Sequence, residues 1–526
     1  MKKSNIIILL CAMISAWAFS ACSPSAGDVI RMDIASPVHN LDPQFATDPT
    51  ARMILANIFE GLMVMSADGT LRPGAAREYT ISPDGLVYVF TLREDARWQD
   101  GTPVTAQDFV FAFERMFSPD TPSPFAREFS SISNAGQVLQ GYEPIQALGV
   151  DAVGPLTVIF TLERPDQGFL NRLAGTPALP SNRQAFEQSM GRYGLEARYV
   201  HSNGPFMLSR WDNSRFIHMD RNEYFREEER AKPDRVILYI GRQDPVRQFL
   251  DGRSDLVRIP SERLGEIGGR QARFIPVERT VWGLIFNQNS SLWGNPLLRQ
   301  SLALALEENL YAGSLPPNFT ASSVFIPPAT LLPGGQSFRS LAGETSPLAW
   351  NPQQGRHLFG RALEILGYDS FPESTIYIPE GHIAHMQLIE NIWRRELDTD
   401  ISIELVEFEE ISERLRTGNF GVMLAPFSPA TENPGELLRR FHSSSAHNNF
   451  GHNNPRFDHA LEGAVWAERT EQAAGFYKTA ESILLESAAF IPLFFETSYY
   501  AINTNLTGVE IFPFEGRIIF QNASKG

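Results

Sequence analysis

Cysteine is nearly missing from these 526 residues, which hold only Cys11 and Cys22. A disulfide framework, thiol catalysis or a cysteine-ligated metal needs more than that. Other signatures of chemistry are lacking too. No G-x-S-x-G elbow, H-E-x-x-H helix or phosphate-cradling glycine loop occurs, so no catalytic residue, cofactor or metal site is expected. Positive charge is scarce: 45 Lys and Arg stand against 61 Asp and Glu, a net charge of −16. Such a surface argues against nucleic acid and against docking on anionic lipid. Internal repeats and low-complexity tracts are also absent, which excludes solenoids and propellers.

What is present points to a large secreted globular protein. The length predicts two or three domains, and 43% hydrophobic residues with 37 Phe predict a packed, Phe-rich core. Residues 1–21 read as a signal peptide: Lys2 and Lys3 start it, an apolar run opens at Ile6, and small residues Ser20 and Ala21 mark a cleavage point. The run is too short to span a bilayer. Phe19, Ser20, Ala21 and Cys22 resemble the bacterial lipoprotein box, with Phe at a position where Leu is more usual. By that resemblance Cys22 is acylated as the new N-terminus, and residues 22–27 form a tether. Loss of Lys2 and Lys3 takes the net charge from −16 to −18, so the lipid must do the anchoring, at roughly 0.8 kcal/mol per buried methylene. The expected location is extracytoplasmic, held to a bacterial membrane at the cell surface or in the periplasm.

Strand-like runs and amphipathic helices alternate along the rest. Strands are predicted at 86–92, 157–162, 236–239, 281–286, 375–378, 401–406 and 491–495, all rich in β-branched and aromatic residues. Asp-Gly pairs beginning at Asp68, Asp84 and Asp100 mark turns. Thr105 and Asp108 have capping-box spacing ahead of Phe109, Phe113, Met116 and Phe117. Asn295-Pro296 and Asn351-Pro352 each cap and open a helix, the second ending at Gly367. This order predicts an α/β fold with mixed sheets and flanking helices.

From Leu41 onward the chain resembles the peptide/nickel-type, family 5 extracellular solute-binding proteins of ABC importers, among them the oligopeptide-binding lipoproteins. The stretches that carry the resemblance are Leu41-Asp42-Pro43, Asn57 to Leu62, Trp98 to Phe111, Asn203 to Phe206, Arg221-Asn222 with Tyr224, Arg299 to Leu306 and Ile491-Pro492-Leu493. The resemblance implies a two-lobed periplasmic-binding-protein-like fold, of the class with an extra domain, and a ligand cleft between the lobes. Residues 28–63 with 185–283 and 498–526 would form a discontinuous lobe I, 64–184 an additional domain II, and 284–497 lobe III, with crossovers near Phe206 and Phe495. It further implies oligopeptide capture by hinge closure, delivery to permease and ATPase subunits, and a monomer. The alternatives are the same fold with another cargo, such as an oligosaccharide, a nickel chelate or another small solute, or a ligand receptor for signalling.

In peptide-binding relatives a stretch near the lobe interface reads approximately Trp-x-x-Asp-Tyr-x-x-Pro, and its Asp pairs with the peptide ammonium. Here Phe427, Ser428, Ala430, Thr431, Glu432 and Pro434 occupy it, so Ala430 replaces the Asp. A desolvated ammonium needs a paired carboxylate. Either Glu432 supplies it or the cargo lacks a free amine. Leu424 stands where some relatives have Arg, while His382 and Phe408 fall at further cleft positions. Phe427, Ser428, Ala430, Thr431, Glu432, His382 and Phe408 form the expected ligand site, with Cys22 as the lipidation site. His442, His447, His452 and His459 cluster in sequence, and imidazole suits nickel, but the intervening Ser, Asn and Gly read as a polar loop. Glu407, Glu409 and Glu410 read as a solvated helix start rather than paired catalytic acids.

Overall fold

The computed structural model describes residues 28–526 except 67–68, 167, 260, 317, 333–335, 344–345, 430–432, 468 and 513–516. Cys22, Ala430, Thr431 and Glu432 therefore lie outside the described residues. No helix among those described is long and apolar enough to cross a membrane.

An eleven-stranded mixed sheet forms the spine of the molecule. Its order from one edge is Ile401–Val406, Ser374–Pro379, Val422–Phe427, Ala272–Phe286, Phe490–Asn503, Leu256–Ile259, Val29–Ile34, Arg235–Ile240, Phe216–Arg221 and Phe206–Asp212, with Phe319–Ala321 also paired to Phe490–Asn503. Two strands are far longer than the rest. Ala272–Phe286 and Phe490–Asn503 run antiparallel from the pair Ala272 and Asn503 to the pair Ile285 and Phe490. At the 3.3 Å rise of a strand they reach about 45 Å. Each contributes one end to each half of the sheet, so both halves hang on this pair. Register shifts between Glu278 and Thr280 and between Trp282 and Gly283 interrupt it midway, where bulges bend and twist a ladder. Phe206 lies elsewhere: it opens the far edge strand and pairs with Arg221, so the partner of the crossing near Phe495 is the strand through Thr280.

A four-stranded antiparallel sheet, Ala76–Ile81, Val87–Leu92, Thr157–Thr161 and Val150–Val153, carries helix Ala106–Met116. Its core is continuous with that of the nearer half of the large sheet: Phe90, Phe113 and Phe160 belong to the same apolar cluster as Ile30, Phe206 and Leu238. The other half of the large sheet buries both faces. Val281, Met423 and Phe427 face one helical layer and Trp282, Leu424 and Phe494 the other, as strand alternation requires.

The stretches that stood out in the sequence hold this frame together. Trp98 is fully buried, edge-on to Phe59 at 6.4 Å, and its turn closes through Gly101 at φ +83°. Thr105 and Asp108 form the capping box reciprocally, with the Thr105 amide donating to the carboxylate at 2.7 Å. Asn203 and Glu60 exchange amide and carbonyl bonds of 3.0 and 2.9 Å. A Cβ on Gly204 would stand 2.7 Å from the Ile58 carbonyl carbon, so that junction admits only glycine. Beneath it the carboxylate of Glu60 receives Arg226 at 2.8 and 2.6 Å, both side chains buried. Asp42, Arg115, Gln44 and Ser181 form a second buried network that ties the Leu41-Asp42-Pro43 turn to helix Ala106–Met116.

Candidate functional site

The middle of the long strand pair carries a ring-lined patch on one face. Trp282 stands opposite Phe494 in the ladder, and its indole N–H donates to Glu496 at 2.8 Å. His382, just before helix Ile383–Leu397, lies with its ring 4.3 Å from Trp282, 5.7 Å from Phe494 and 5.8 Å from Phe319. Its Nδ1 is 3.1 Å from Nε2 of His385. Desolvation pushes His382 down to about 3 and His385 to about 4, so both imidazoles are neutral at ordinary pH. Phe408, the first residue of helix Phe408–Thr417, completes the patch 6.4 Å from Trp282 and is 50% exposed. Its neighbour Glu410 binds Arg414 at 2.7 Å on the solvent side, so that acidic run serves as a helix start.

Ser428 continues the same region: its hydroxyl shares a 2.7 Å hydrogen bond with Thr280, and its carbonyl accepts from Arg440 at 3.2 Å. Phe427 does not join it. One residue earlier in the strand, it points to the opposite face, is 1% exposed, and packs against Phe325, Phe441 and Phe490. Its ligand role is corrected to a core role. Leu424 is likewise core, fully buried beside Phe494.

Residues 430–432 lie between Ser428 and helix Pro434–Arg439, and charged groups gather around that helix. Glu128, in the 3-10 turn Ala126–Phe129 of the smaller-sheet unit, interacts electrostatically with Arg439, Arg172, Glu436 and Arg52. Glu128 is open to solvent, yet desolvation raises its carboxyl above the usual range and outweighs the arginines. Glu128 thus faces helix Pro434–Arg439 from the smaller-sheet unit. Two further contacts bridge the same gap. Arg164, after strand Thr157–Thr161, lies 3.5 Å from the ring centre of Trp466, after helix Pro455–Val465. Tyr477 on helix Thr470–Glu486 is buried within electrostatic reach of Arg172 and Asp166.

The histidine run disperses. His452 is buried with Nδ1 2.6 Å from the Phe441 carbonyl, His442 contacts Ser444 and Asp458, and His447 and His459 are exposed. Among the described residues no group of three His, Cys, Asp or Glu could hold a metal ion. Trp282, Thr280, Glu496 and Glu128 were missed by sequence reasoning. They come from chain segments far apart, and each alone resembles an ordinary strand or helix residue.

Known proteins align with this architecture over most of its length. The family described as "Bacterial extracellular solute-binding proteins, family 5 Middle" matches residues 70–449. The periplasmic oligopeptide-binding protein OppA of Salmonella typhimurium is 26% identical over 525 residues, covering 96% of this chain and 94% of its own. The "Probable deoxycholate-binding periplasmic protein YgiS" of Escherichia coli is 25% identical over 516 residues, 94% of each chain. The substrate-binding domain of an oligopeptide ABC transporter from Bacillus anthracis superposes with a TM-score of 0.76 at 23% identity, over 95% of this chain and 99% of that one. The two-lobed binding-protein fold is thereby established.

Proposed function

Because the chain belongs to the bacterial extracellular solute-binding proteins of family 5, we propose that it captures oligopeptides outside the cytoplasm and delivers them to an ABC importer. The observation that carries the mechanism is the pair of long strands shared by both halves of the large sheet, bulged at midpoint beside the patch of Trp282, His382 and Phe408. A solute touching both walls of the gap favours their approach, because it gains contacts only in the closed arrangement. Extended peptides suit such a gap, since main-chain hydrogen bonds give affinity without strict side-chain choice. Residues 28–63, 185–283 and 498–526 act as one lobe, 64–184 as its added domain and 284–497 as the moving lobe. Capture involves no covalent step.

A second cargo reading rests on the rings. Half-exposed Phe408 and partly exposed Phe319 lie against the buried rings of Trp282 and Phe494 and two buried, neutral histidines, an apolar edge that also suits an amphipathic solute of the kind named for the Escherichia coli relative. Native mass spectrometry of the purified protein separates the two. Co-purifying peptides, and a rise in melting temperature with random peptides, support the first. A shift with bile-salt-like solutes and none with peptides would replace it.

The anchor is proposed to be lipid on Cys22, with the mature chain acting as a monomer. Cys22→Ser is expected to move the protein from the membrane fraction to the soluble extracytoplasmic fraction, and retention of the variant on membranes would refute the anchor.

A further inference from the structure

Glu496 brings a negative charge to the ring-lined patch, and no cation of the described residues pairs with it. It lies where the two spine strands are bulged: the ladder sets it opposite Thr280 on one side and opposite Phe319 on the other. Its side chain is partly exposed, and one carboxylate oxygen accepts from the indole of buried Trp282 at 2.8 Å. That bond fixes the carboxylate against the rings without removing its charge. Buried acids elsewhere are provided for within the chain. Asp33 binds Arg242, Asp42 binds Arg115, Glu60 binds Arg226 and Glu481 binds Arg339. Glu496 has the Trp282 indole alone as its partner among the described residues.

Its neighbours select what can meet it. Strand alternation puts Glu496 on the same face as Phe494, Trp282 and Phe319, and Phe319 packs edge-on to Phe494 at 4.9 Å. Half-exposed Phe408, 6.4 Å from Trp282, leaves this edge open to a solute. The two histidines behind the rings are neutral and supply no cation. A carboxylate set among aromatic rings attracts an ammonium in two ways, through charge-assisted hydrogen bonds and through the negative ring faces. An acidic group of the cargo would be repelled there, and an uncharged one would desolvate the carboxylate without compensation. We infer that Glu496 takes an alkylammonium group of the cargo, which makes this protein selective for peptides with a free α-amine or a lysine side chain. The inference rests on the peptide reading above and adds a charge requirement to it.

The test uses the full-length protein, its Glu496→Gln, Glu496→Asp and Glu432→Gln variants, and three synthetic pentapeptide pools with free C-termini. The first pool has neutral side chains and a free N-terminus, the second is neutral and N-acetylated, and the third is N-acetylated with one internal Lys. The wild type should bind the first or the third pool about ten- to a hundredfold more tightly than the second, as a lost hydrogen bond to charge implies. Which of the two it prefers identifies the source of the ammonium. Glu496→Gln keeps an acceptor for the Trp282 indole, so it should erase the preference with the ligand-free melting temperature nearly unchanged. Glu496→Asp should keep part of the preference, and the control Glu432→Gln should keep it whole. A merely structural carboxylate would weaken all three pools equally when replaced, and that result overturns the assignment. A preference that survives in Glu496→Gln overturns it as well, whether or not Glu432→Gln removes it. Equal binding of all pools by the wild type overturns the role of Glu496 and leaves peptide capture standing. Failure of every pool to bind the wild type refutes peptide capture and this inference together.

Discussion

The contact between Arg164 and Trp466 gives closure a handle that the cargo never touches. One side chain follows a strand of the smaller sheet and the other follows a helix on the far half of the large sheet, so the pair exists only while the two walls are together. The guanidinium lies 3.5 Å from the ring centre and loses some hydration there, which holds its pKa below the usual value. Trp466 nevertheless remains 55% exposed. Such a half-desolvated pair is worth about 1 kcal/mol, between the exposed and the dry limits. Removing it by Trp466→Ala or Arg164→Ala should lower the ratio of closed to open molecules about fivefold. The apparent Kd for cargo should weaken by up to about the same factor, because it scales inversely with the competent fraction. Titration calorimetry on both single variants and the double variant closes a cycle in which a coupling of about 1 kcal/mol is expected. Small-angle scattering of the ligand-free variants should show a larger radius of gyration than the wild type. Additive effects in the cycle, with unchanged scattering, would refute the bridging role.

Other outcomes follow from the buried polar groups. With folded values near 3 and 4, His382 and His385 stay neutral where the unfolded chain takes up protons below about 6.5. Stability should therefore be full above that pH and fall from about 6.5 to about 4 for His385 and to about 3 for His382, by about 1.4 kcal/mol per pH unit for each histidine. His382→Phe should flatten that slope in urea unfolding by one histidine's share, and an unchanged slope would count against the assignment. Replacing Glu60 by Gln strips Arg226 of its buried carboxylate and should cost about 3 kcal/mol in the same assay, whereas a loss below about 0.5 kcal/mol would show that the pair is dispensable. Ala at position 204 would press on the Ile58 backbone and should cost at least about 1 to 3 kcal/mol; a neutral result would mean that the junction can yield.

Local signals in the sequence placed elements well where the chain is punctuated. Asn351 with Pro352 and Gly367 bound a helix observed as Pro352–Leu366, its Asn side chain accepting from Gln354 and its Gly at φ +76°. Strand Ile401–Val406 appears with the expected limits. The two spine strands were legible only in part. Residues 281–286 and 491–495 read as strand because they are apolar on both faces, but their continuations are interrupted by Pro276 and by the polar runs Glu278-Arg279-Thr280 and Glu496-Thr497-Ser498, which follow no strand period. The ligand site was less legible for a related reason. A motif position such as Phe427 identifies a place in the chain, but which face of the sheet it occupies depends on register, and one residue reverses it.

The paired spine has a mechanical consequence. Two hydrogen-bonded strands side by side form a ribbon that resists shear within its own plane and yields most readily across it. A single-strand tether would let the far unit swivel freely, whereas this strap restricts it to nodding about one axis. Each nod then brings the same residues face to face, so recognition begins from a narrow, repeatable path instead of a search over orientations.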